Sequence, residues 1–413
     1  MKLITIHLLI VVFLFSCQEK KYTPVAVFDS LKEISTPCQE GGEPNLFVAE
    51  NGAVYLSWVE YLNDTTDALV FSKLENEKWS TPKTIATGSD WFVNWADFPS
   101  LVAYEDEGKT LAAHWLQKRA EGTYDYDVHI AQSKDGGDTW SSSFIPHRDS
   151  IAAEHGFVSM LPTSDNKIFA TWLDGRNTKG EGQEEDSHGH GHHGAMTLRT
   201  AVFDENGKLS EEAELDNRIC DCCQTSAAMT DDGVIVAYRD RSEKEIRDIS
   251  IVRKVNGKWT TPKPVFNDNW LIAGCPVNGP ALAANGKNVA IAWFTMSEEK
   301  PQVKVAFSDD SGANFSEPIR IDEGNPLGRV DIVMISENET MVSWLEQKEE
   351  SAAIQLAQVN RVGIVGERFI VAESKSSRQS GFPRMVKNKN QIIFAWTNVA
   401  EVTSVKSIVV YLD

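Results

Sequence analysis

The sequence predicts an all-β protein that forms a single β-propeller of four-stranded blades. The first observation that predicts this fold is a repeat. A short apolar strand, a turn and a strand ending in an aromatic residue recur seven times. The second observation is the turn chemistry inside these hairpins, such as Asp232-Gly233, because tight turns require positive φ. Antiparallel repeats of this length are typical of propeller blades. The repeated aromatic residues are Trp58, Trp115, Trp172, Tyr238, Trp293, Trp344 and Trp396.

Each unit continues into a second hairpin, such as residues 127–133 followed by 140–145, which gives four strands per repeat. We call these strands A to D, from the inside of the ring outward. The last unit stops after its third strand, residues 404–412, so the segment around 25–34 is expected to supply the outer strand and close the ring. We therefore predict one seven-bladed domain over residues 25–413, with six blades and an irregular extension as the alternative.

The N-terminus has the features of an export signal. Lys2 precedes an apolar run over residues 3–15 that is too short and too close to the start for a spanning helix. The run ends in Ser16-Cys17 and resembles a bacterial lipoprotein signal, which implies removal of residues 1–16, lipidation of Cys17 and a tether over 17–24. An ordinary secretory signal is the alternative. Both place the chain outside the cytoplasm, and the lipoprotein reading predicts an anchor in the bacterial cell envelope.

The charge of the chain limits its partners. The formal net charge is −20 and the isoelectric point is about 4.9. An acidic surface argues against nucleic acid and against anionic lipid bound through charge. We expect a monomer whose membrane contact is made by the lipid on Cys17.

Two turns carry a recognisable motif. Ser133-Lys134-Asp135-Gly136-Gly137-Asp138-Thr139-Trp140 matches the Asp-box, and the segment 308–315 is a looser match with Asn314 and Phe315 at its end. Both fall on the C–D turn of their repeats. Here the chain resembles the sialidase superfamily of BNR-repeat propellers over essentially all of the mature protein. Asp-boxes form turns, so they indicate the fold and not the chemistry.

The resemblance also implies a catalytic set. Sialidases clamp a carboxylate with three arginines and use a tyrosine nucleophile with a glutamate and an aspartate acid/base. Their first arginine lies in an early Arg-Ile-Pro motif, which this chain lacks because no arginine precedes Arg119. Tyr238 is a repeat aromatic and is expected in the core. Whether the chain is an enzyme is therefore left open.

The topology selects the residues that can form a site. The D–A and B–C connections lie on one side of the ring, here called the near face, and the Asp-boxes lie on the other. Near-face side chains beside the central channel could bind or cleave a glycan or a small anionic ligand. The candidates are Asp97, Glu154, Arg176, Arg239, Arg241, Arg329 and Arg384.

Cysteines and histidines of the near face form a second candidate set. Thiolates favour Cu(I) and Zn(II), and His-rich tracts capture metals, so copper or zinc is the candidate cofactor. Disulfides with a leftover thiol, or a redox centre, are the alternatives, because the mature cysteines other than Cys17 are odd in number. The candidate metal ligands are Cys38, Cys220, Cys222, Cys223, Cys275, His155, His188, His190, His192 and His193.

Three functions remain open from the sequence. The first is a sialidase-like envelope lipoprotein that binds or hydrolyses a glycan or another anionic ligand. The second is a propeller that binds copper or zinc. The third is a platform for protein interactions.

Overall fold

A computed structural model describes residues 28–179 and 194–412. These residues form seven antiparallel sheets arranged as the blades of one propeller. The prediction of seven blades is confirmed. Cys17 and the histidines at positions 188, 190, 192 and 193 lie outside the described residues. No helix of the described segments is long and apolar enough to cross a membrane.

The first three blades follow the predicted repeat. Blade one contains Gly41–Val48, Val54–Asn63, Thr66–Glu75, Lys78–Trp79 and Lys83–Gly88. Blade two contains Ser100–Ala103, Leu111–Lys118 and Tyr126–Ser133, and its outer position is reduced to a bridge between Ile130 and Phe144. Blade three contains His155–Thr163, Lys167–Asp174, Thr197–Phe203 and Leu209–Asp216.

The remaining blades repeat this order. Blade four contains Ser226–Thr230, Gly233–Arg239, Ile249–Val255, Lys258–Trp259 and Lys263–Pro264. Blade five contains Ala281–Asn285, Asn288–Thr295, Gln302–Ser308 and Ile319–Arg320. Blade six contains Pro326–Ser336, Glu339–Lys348, Ser351–Asn360 and Phe369–Ser374. Blade seven contains Arg384–Asn388, Gln391–Asn398 and Ser404–Leu412, and two 3-10 helices occupy Ser297–Glu299 and Arg378–Ser380.

The N-terminal strand closes the ring as expected. Phe28–Ile34 pairs antiparallel with Ser404–Leu412, with Ile34 opposite Ser407, and becomes the outer strand of blade seven. The blade therefore joins both ends of the described chain, and Phe28–Ile34 supplies the fourth strand of its sheet.

The repeated aromatic residues lie on strand B of every blade and are buried between neighbouring sheets. A buried indole or phenol must still satisfy its polar atom. Trp58 donates to Glu60 at 2.6 Å, and Trp344 donates to Glu346 at the same distance. Tyr238 donates to Asp216 at 2.6 Å, so this hydroxyl is committed to the core as the sequence indicates.

The two Asp-boxes form the same turn. In the first, Ser133 Oγ accepts the amide of Gly137 at 2.8 Å and Asp135 accepts the hydroxyl of Thr139 at 2.6 Å. In the second, Asn314 donates its side-chain amide to Asp310 at 2.8 Å. The substitution of Asn for Thr in the looser motif therefore keeps the hydrogen bond.

Gly137→Ala is expected to destabilise the protein by about 2–4 kcal/mol, because a Cβ would overlap the Phe71 ring and the residue has positive φ. Gly136→Ala is the matched control, since its φ is +73° but the nearest atom to a Cβ is Lys73 Nζ at 4.0 Å. It should lose only about 1–2 kcal/mol. Urea unfolding measures both, and equal losses would contradict the packing argument.

Candidate functional site

Four of the near-face cysteines gather at the start of blades four and five. Cys222 and Cys275 form a disulfide with a Cα–Cα distance of 6.0 Å. Cys220 and Cys223 are buried free thiols whose sulfur atoms are 3.0 Å apart, and Cys220 Sγ is 3.9 Å from Cys222 Sγ. Among the alternatives left open by the sequence, the structure therefore forms one disulfide in this cluster.

Cys38 lies elsewhere, between blades one and seven. Its sulfur accepts the backbone amide of Val405 at 3.4 Å, and the described residues show no contact between it and the other four cysteines. Burial raises the pKa of its thiol to about 12. A thiol in this environment stays protonated at neutral pH.

Cys220 has a polarised environment. Burial alone would raise the pKa of its thiol, but the hydrogen bond with Cys223 and the charge of Arg247 outweigh it and lower the pKa to about 7. Arg247 Nη1 is 3.4 Å from the sulfur. Burial and the neighbouring sulfur raise the pKa of Cys223 well above its usual value. The proton of this pair therefore resides on Cys223.

A tyrosine joins the two predicted carboxyl candidates. Tyr126, at the start of strand C of blade two, has its hydroxyl 2.8 Å from Glu154 Oε1 and 3.2 Å from Asp97 Oδ2. Its ring is fully buried and stacks on Phe92 at 4.1 Å. Asp97 is held by the amide of Phe157 at 2.6 Å.

One hydroxyl carries one proton, so it can donate to only one of these two carboxyl groups. The second contact becomes a full hydrogen bond when the other carboxyl is protonated and donates to the tyrosine oxygen. Burial raises the pKa of Asp97 to about 7 and, more strongly than the nearby Asp97 charge, that of Glu154 to about 8. The arrangement thus holds a neutral carboxylic acid at physiological pH, which is what a proton donor requires.

Two predicted arginines serve the fold. Arg239 is 1% exposed, donates to the backbone carbonyls of Asn278, Arg247 and Phe294 at 2.7–2.9 Å, and stacks over Trp270. Arg329 donates to backbone and hydroxyl oxygens of residues 377–381, and burial lowers its pKa to about 10. In the described part of the chain, neither arginine is among the residues that line the cavity of the central channel.

Two other arginines of the predicted set are paired with carboxylates. Arg176 forms a bidentate pair with Asp174 at 2.7 and 2.6 Å. Arg241 contacts Glu245 at 2.8 Å and Asp221 at 3.2 Å. These cations balance local charge.

The central channel contains a cavity of about 180 Å³. Asp97 and Arg384 line it together with aromatic side chains such as Phe157 and Phe382. Arg384 lies 5.5 Å over the Phe98 ring and its Nε is 3.5 Å from Asp331, with no hydrogen-bond partner among the described residues. It is therefore the predicted arginine that faces the cavity.

His155 is separated from the cysteines. Its ring is fully buried and stacks on His147 at 3.7 Å, and three aspartates surround the two rings. The sequence places His155 among the metal candidates, but His147, Asp127 and Asp149 were missed because no motif marks them.

A family model for the BNR repeat-like domain matches residues 62–393. The chain belongs to this family. No curated protein matches it. Among solved structures, a protein of unknown function from Dyadobacter fermentans aligns over 95% of this chain and 100% of its own, with 13% identity and a TM-score of 0.54. An ulvan lyase of family PL25 aligns over 91% and 95%, with 11% identity and a TM-score of 0.56.

The polysaccharide lyase Uly1 aligns over 91% of this chain and 90% of its own, with 10% identity and a TM-score of 0.53. At such identities these likenesses establish the fold. In this BNR repeat-like protein the near face carries two carboxyl groups that meet on a buried tyrosine, beside a cluster of sulfur atoms. Tyr126 was missed because the sequence does not show that the start of strand C in blade two packs against the link that leads to blade three.

The carboxyl pair predicts a pH dependence of stability. Both groups have pKa values near 4 in the unfolded chain, so the folded state, with values of about 7 and 8, binds their protons more tightly. Their stabilisation is complete at acid pH and is lost as the pH rises through 7 and 8. The free energy of unfolding should fall less steeply between pH 5 and 8 in Asp97→Asn with Glu154→Gln than in the wild type. Parallel curves would contradict the assignment.

Proposed function

We propose that the protein binds a glycan at the channel mouth of the near face and cleaves it, with Asp97 and Glu154 as the acid–base groups. The observation that carries this is the single tyrosine hydroxyl that contacts both carboxyl groups. A protonated carboxyl can donate to a leaving oxygen, and its ionised partner can accept a proton or stabilise positive charge. The contact joins a tyrosine, Tyr126, to a glutamate, Glu154. The resemblance to sialidases implies the same pair of residue types, a tyrosine nucleophile with a glutamate beside it.

The cations determine which glycans fit. Sialidase-type recognition requires several arginines aimed at one carboxylate, but four of the five predicted arginines are bound to backbone or to carboxylates. Arg384 also lies 3.5 Å from Asp331, but it is the one of the five that lines the cavity. One guanidinium can pair with one acidic group, so the proposed ligand is a polysaccharide with isolated carboxylates or sulfates. The PL25 ulvan lyase of the same fold is bound to the fragment -[GlcA(1-4)Rha3S]-, which supports this class.

The N-terminal signal gives the proposed location. Cys17 carries the lipid and holds the propeller at the bacterial envelope, where extracellular polysaccharide is accessible. Cys17→Ser should move the protein from the detergent phase to the aqueous phase of a partition assay. Retention in the detergent phase would contradict the anchor without affecting the glycan proposal.

The substrate class is tested with the purified protein on aryl glycosides, sialosides and uronic-acid polysaccharides, by following reducing ends and ultraviolet absorption of unsaturated products. Asp97→Asn and Glu154→Gln should each lower turnover by about 10²–10⁴-fold. Glu121→Gln, an exposed residue in the B–C loop of the same blade, is the control and should retain activity. Absence of turnover, together with absence of binding on a glycan array, would refute the proposal.

A soft-metal function is the second proposal from the sequence, with the cysteines and the His-rich loop as ligands. The disulfide occupies Cys222 and Cys275 and leaves Cys220 and Cys223 as thiols. Their sulfur atoms are 3.0 Å apart. Two thiolates on a tetrahedral zinc ion would be about 3.8 Å apart, from Zn–S bonds of about 2.3 Å. The geometry favours a shared proton in this pair, so glycan chemistry is the better supported function.

A further inference from the structure

Two histidines and three aspartates converge between blades two and three, and we call this group the His–Asp cluster. Asp127 is the second residue of strand C of blade two, and Asp174 ends strand B of blade three. His147 and Asp149 lie in the link between the two blades, and His155 begins strand A of blade three. Every one of these side chains is at most 5% exposed.

The polar atoms of the cluster have the spacing of metal ligands. Asp149 Oδ2 is 3.2 Å from His155 Nε2 and 3.2 Å from His147 Nδ1. His155 Nε2 is 3.7 Å from Asp174 Oδ1. Ligands on a tetrahedral zinc ion with bonds of about 2.1 Å are about 3.4 Å from one another. The three separations bracket this value.

Three ring nitrogens of the cluster also lack hydrogen bonds of proper geometry. Both ring nitrogens of His147 and Nε2 of His155 are buried without a hydrogen-bond partner among the described residues, whereas Oδ2 of Asp149 is paired with Arg176 Nη2 at 3.0 Å. Buried polar atoms are normally paired, so a group of three such ring nitrogens requires an explanation. Nδ1 of His155 lies 3.1 Å from the Ala153 carbonyl, so it carries the proton and leaves the Nε2 lone pair directed at two carboxylates. A lone pair that faces carboxylate oxygens is repulsive, so the contact needs either a second proton on the ring or a metal cation between the groups.

Neighbouring groups hold the carboxylates in position. Arg176 donates to both oxygens of Asp174 and lies 3.0 Å from Asp149, and Trp172 donates to Asp174 at 2.9 Å. Arg119 contacts Asp127 at 3.3 Å. Ligating side chains are commonly oriented by such outer hydrogen bonds. These partners also offset part of the negative charge, so the cluster is suited to a divalent ion.

We propose that the His–Asp cluster binds one divalent transition-metal ion, with Zn(II) as the best match, through Asp149, His155 and Asp174, with His147 stacked on His155 beside it. Mixed imidazole and carboxylate ligands suit Zn(II), whereas Cu(I) prefers thiolates. The site is distinct from the cysteines that the sequence favoured as ligands.

The ion would act next to the proposed catalytic groups. Tyr126 directly precedes Asp127, and Glu154 directly precedes His155. An ion that fixes the link and strand A of blade three therefore fixes the backbone that carries Glu154. This positioning role rests on the proposed function, but metal binding itself does not.

The test measures the zinc content of the full chain after dialysis against zinc at a concentration equal to that of the protein. A background with His188→Ser, His190→Ser, His192→Ser and His193→Ser removes the His-rich loop. This background should hold about one zinc ion per chain, and His147→Ala with Asp149→Asn should lower the content at least tenfold. Cys220→Ser with Cys223→Ser is the matched control and should retain the ion.

Two readouts keep the result interpretable if a variant folds poorly. Zinc should raise the melting temperature of the background protein, and cobalt substitution should give visible absorption without the intense thiolate-to-cobalt bands. Loss of metal in the cysteine variant, or thiolate bands, would place the ion at the sulfur cluster and overturn the proposal. No zinc in the background protein, with no shift in melting temperature, would show instead an imidazolium–carboxylate network. Loss of glycan activity alone would not affect the metal assignment.

Discussion

Arg239→Ala is expected to lower the free energy of unfolding by about 3–4 kcal/mol, because each buried carbonyl left without a donor costs about 1–3 kcal/mol. The guanidinium serves three carbonyls that belong to Asn278, Arg247 and Phe294. Two of these residues are in or beside blade five, so the side chain joins blade four to blade five. Its removal also exposes one face of the Trp270 ring.

Arg241→Ala is the matched control, since the sequence assigns both arginines to the same candidate set. Arg241 pairs with Glu245 and Asp221 near the surface, where such pairs contribute about 0–1 kcal/mol. Arg239→Lys should give an intermediate loss, because an ammonium cannot reach three separate acceptors as a fork does. Urea unfolding with a common slope would measure the series. A loss in Arg241→Ala as large as in Arg239→Ala would contradict the structural role.

The different roles of these two arginines show where sequence reasoning stops. Both residues flank Asp240 at the end of one strand, and their spacing suggests equivalent positions. Burial of Arg239 depends on Trp270 and Asn278, which come from the link to the next blade. The repeat locates that link but not the path of its backbone. The sequence therefore places both arginines at the end of strand B without predicting which of the two guanidinium groups is buried.

The fold was predictable because its signal is periodic and local. Each strand B aromatic recurs at nearly constant spacing, and the partner of its polar atom is often two residues away, as in Trp58 and Glu60. The outer strand of blade seven followed from counting strands. The His–Asp cluster has no such signal, because His147 and Asp149 lie in an irregular link and meet His155 only through packing.

The arrangement of the cysteines was predictable from the sequence only in part. Their clustering on the near face followed from the repeat, except for Cys38, which the structure places between blades one and seven. The pairing could not be derived, because Cys222 and Cys275 are separated by 53 residues and three neighbouring thiols compete for any partner. The directions of the side chains at positions 220, 222 and 223 decide which of these cysteines pairs with Cys275.

Removal of the disulfide by Cys222→Ser with Cys275→Ser is expected to cost about 4 kcal/mol, from the chain entropy of a loop of this length. Cys38→Ser is the control and should cost about 1 kcal/mol or less, since its sulfur accepts one weak hydrogen bond. Urea unfolding of the oxidised proteins measures both. Equal stability of the double variant and the wild type would contradict a structural disulfide.

The single variant Cys275→Ser distinguishes loss of the disulfide from formation of a new disulfide by the freed Cys222 thiol. It frees Cys222, whose sulfur is 3.9 Å from Cys220 Sγ. The low pKa of Cys220 makes it the reactive thiolate of the cluster, so oxidation should join it to Cys222 or Cys223. Peptide mapping of the oxidised variant should find this new bond, while Cys38 remains free. If Cys222 instead remains a thiol and Cys220 resists alkylation in the folded variant, the sulfur atoms are held by packing alone and the polarised thiolate is refuted.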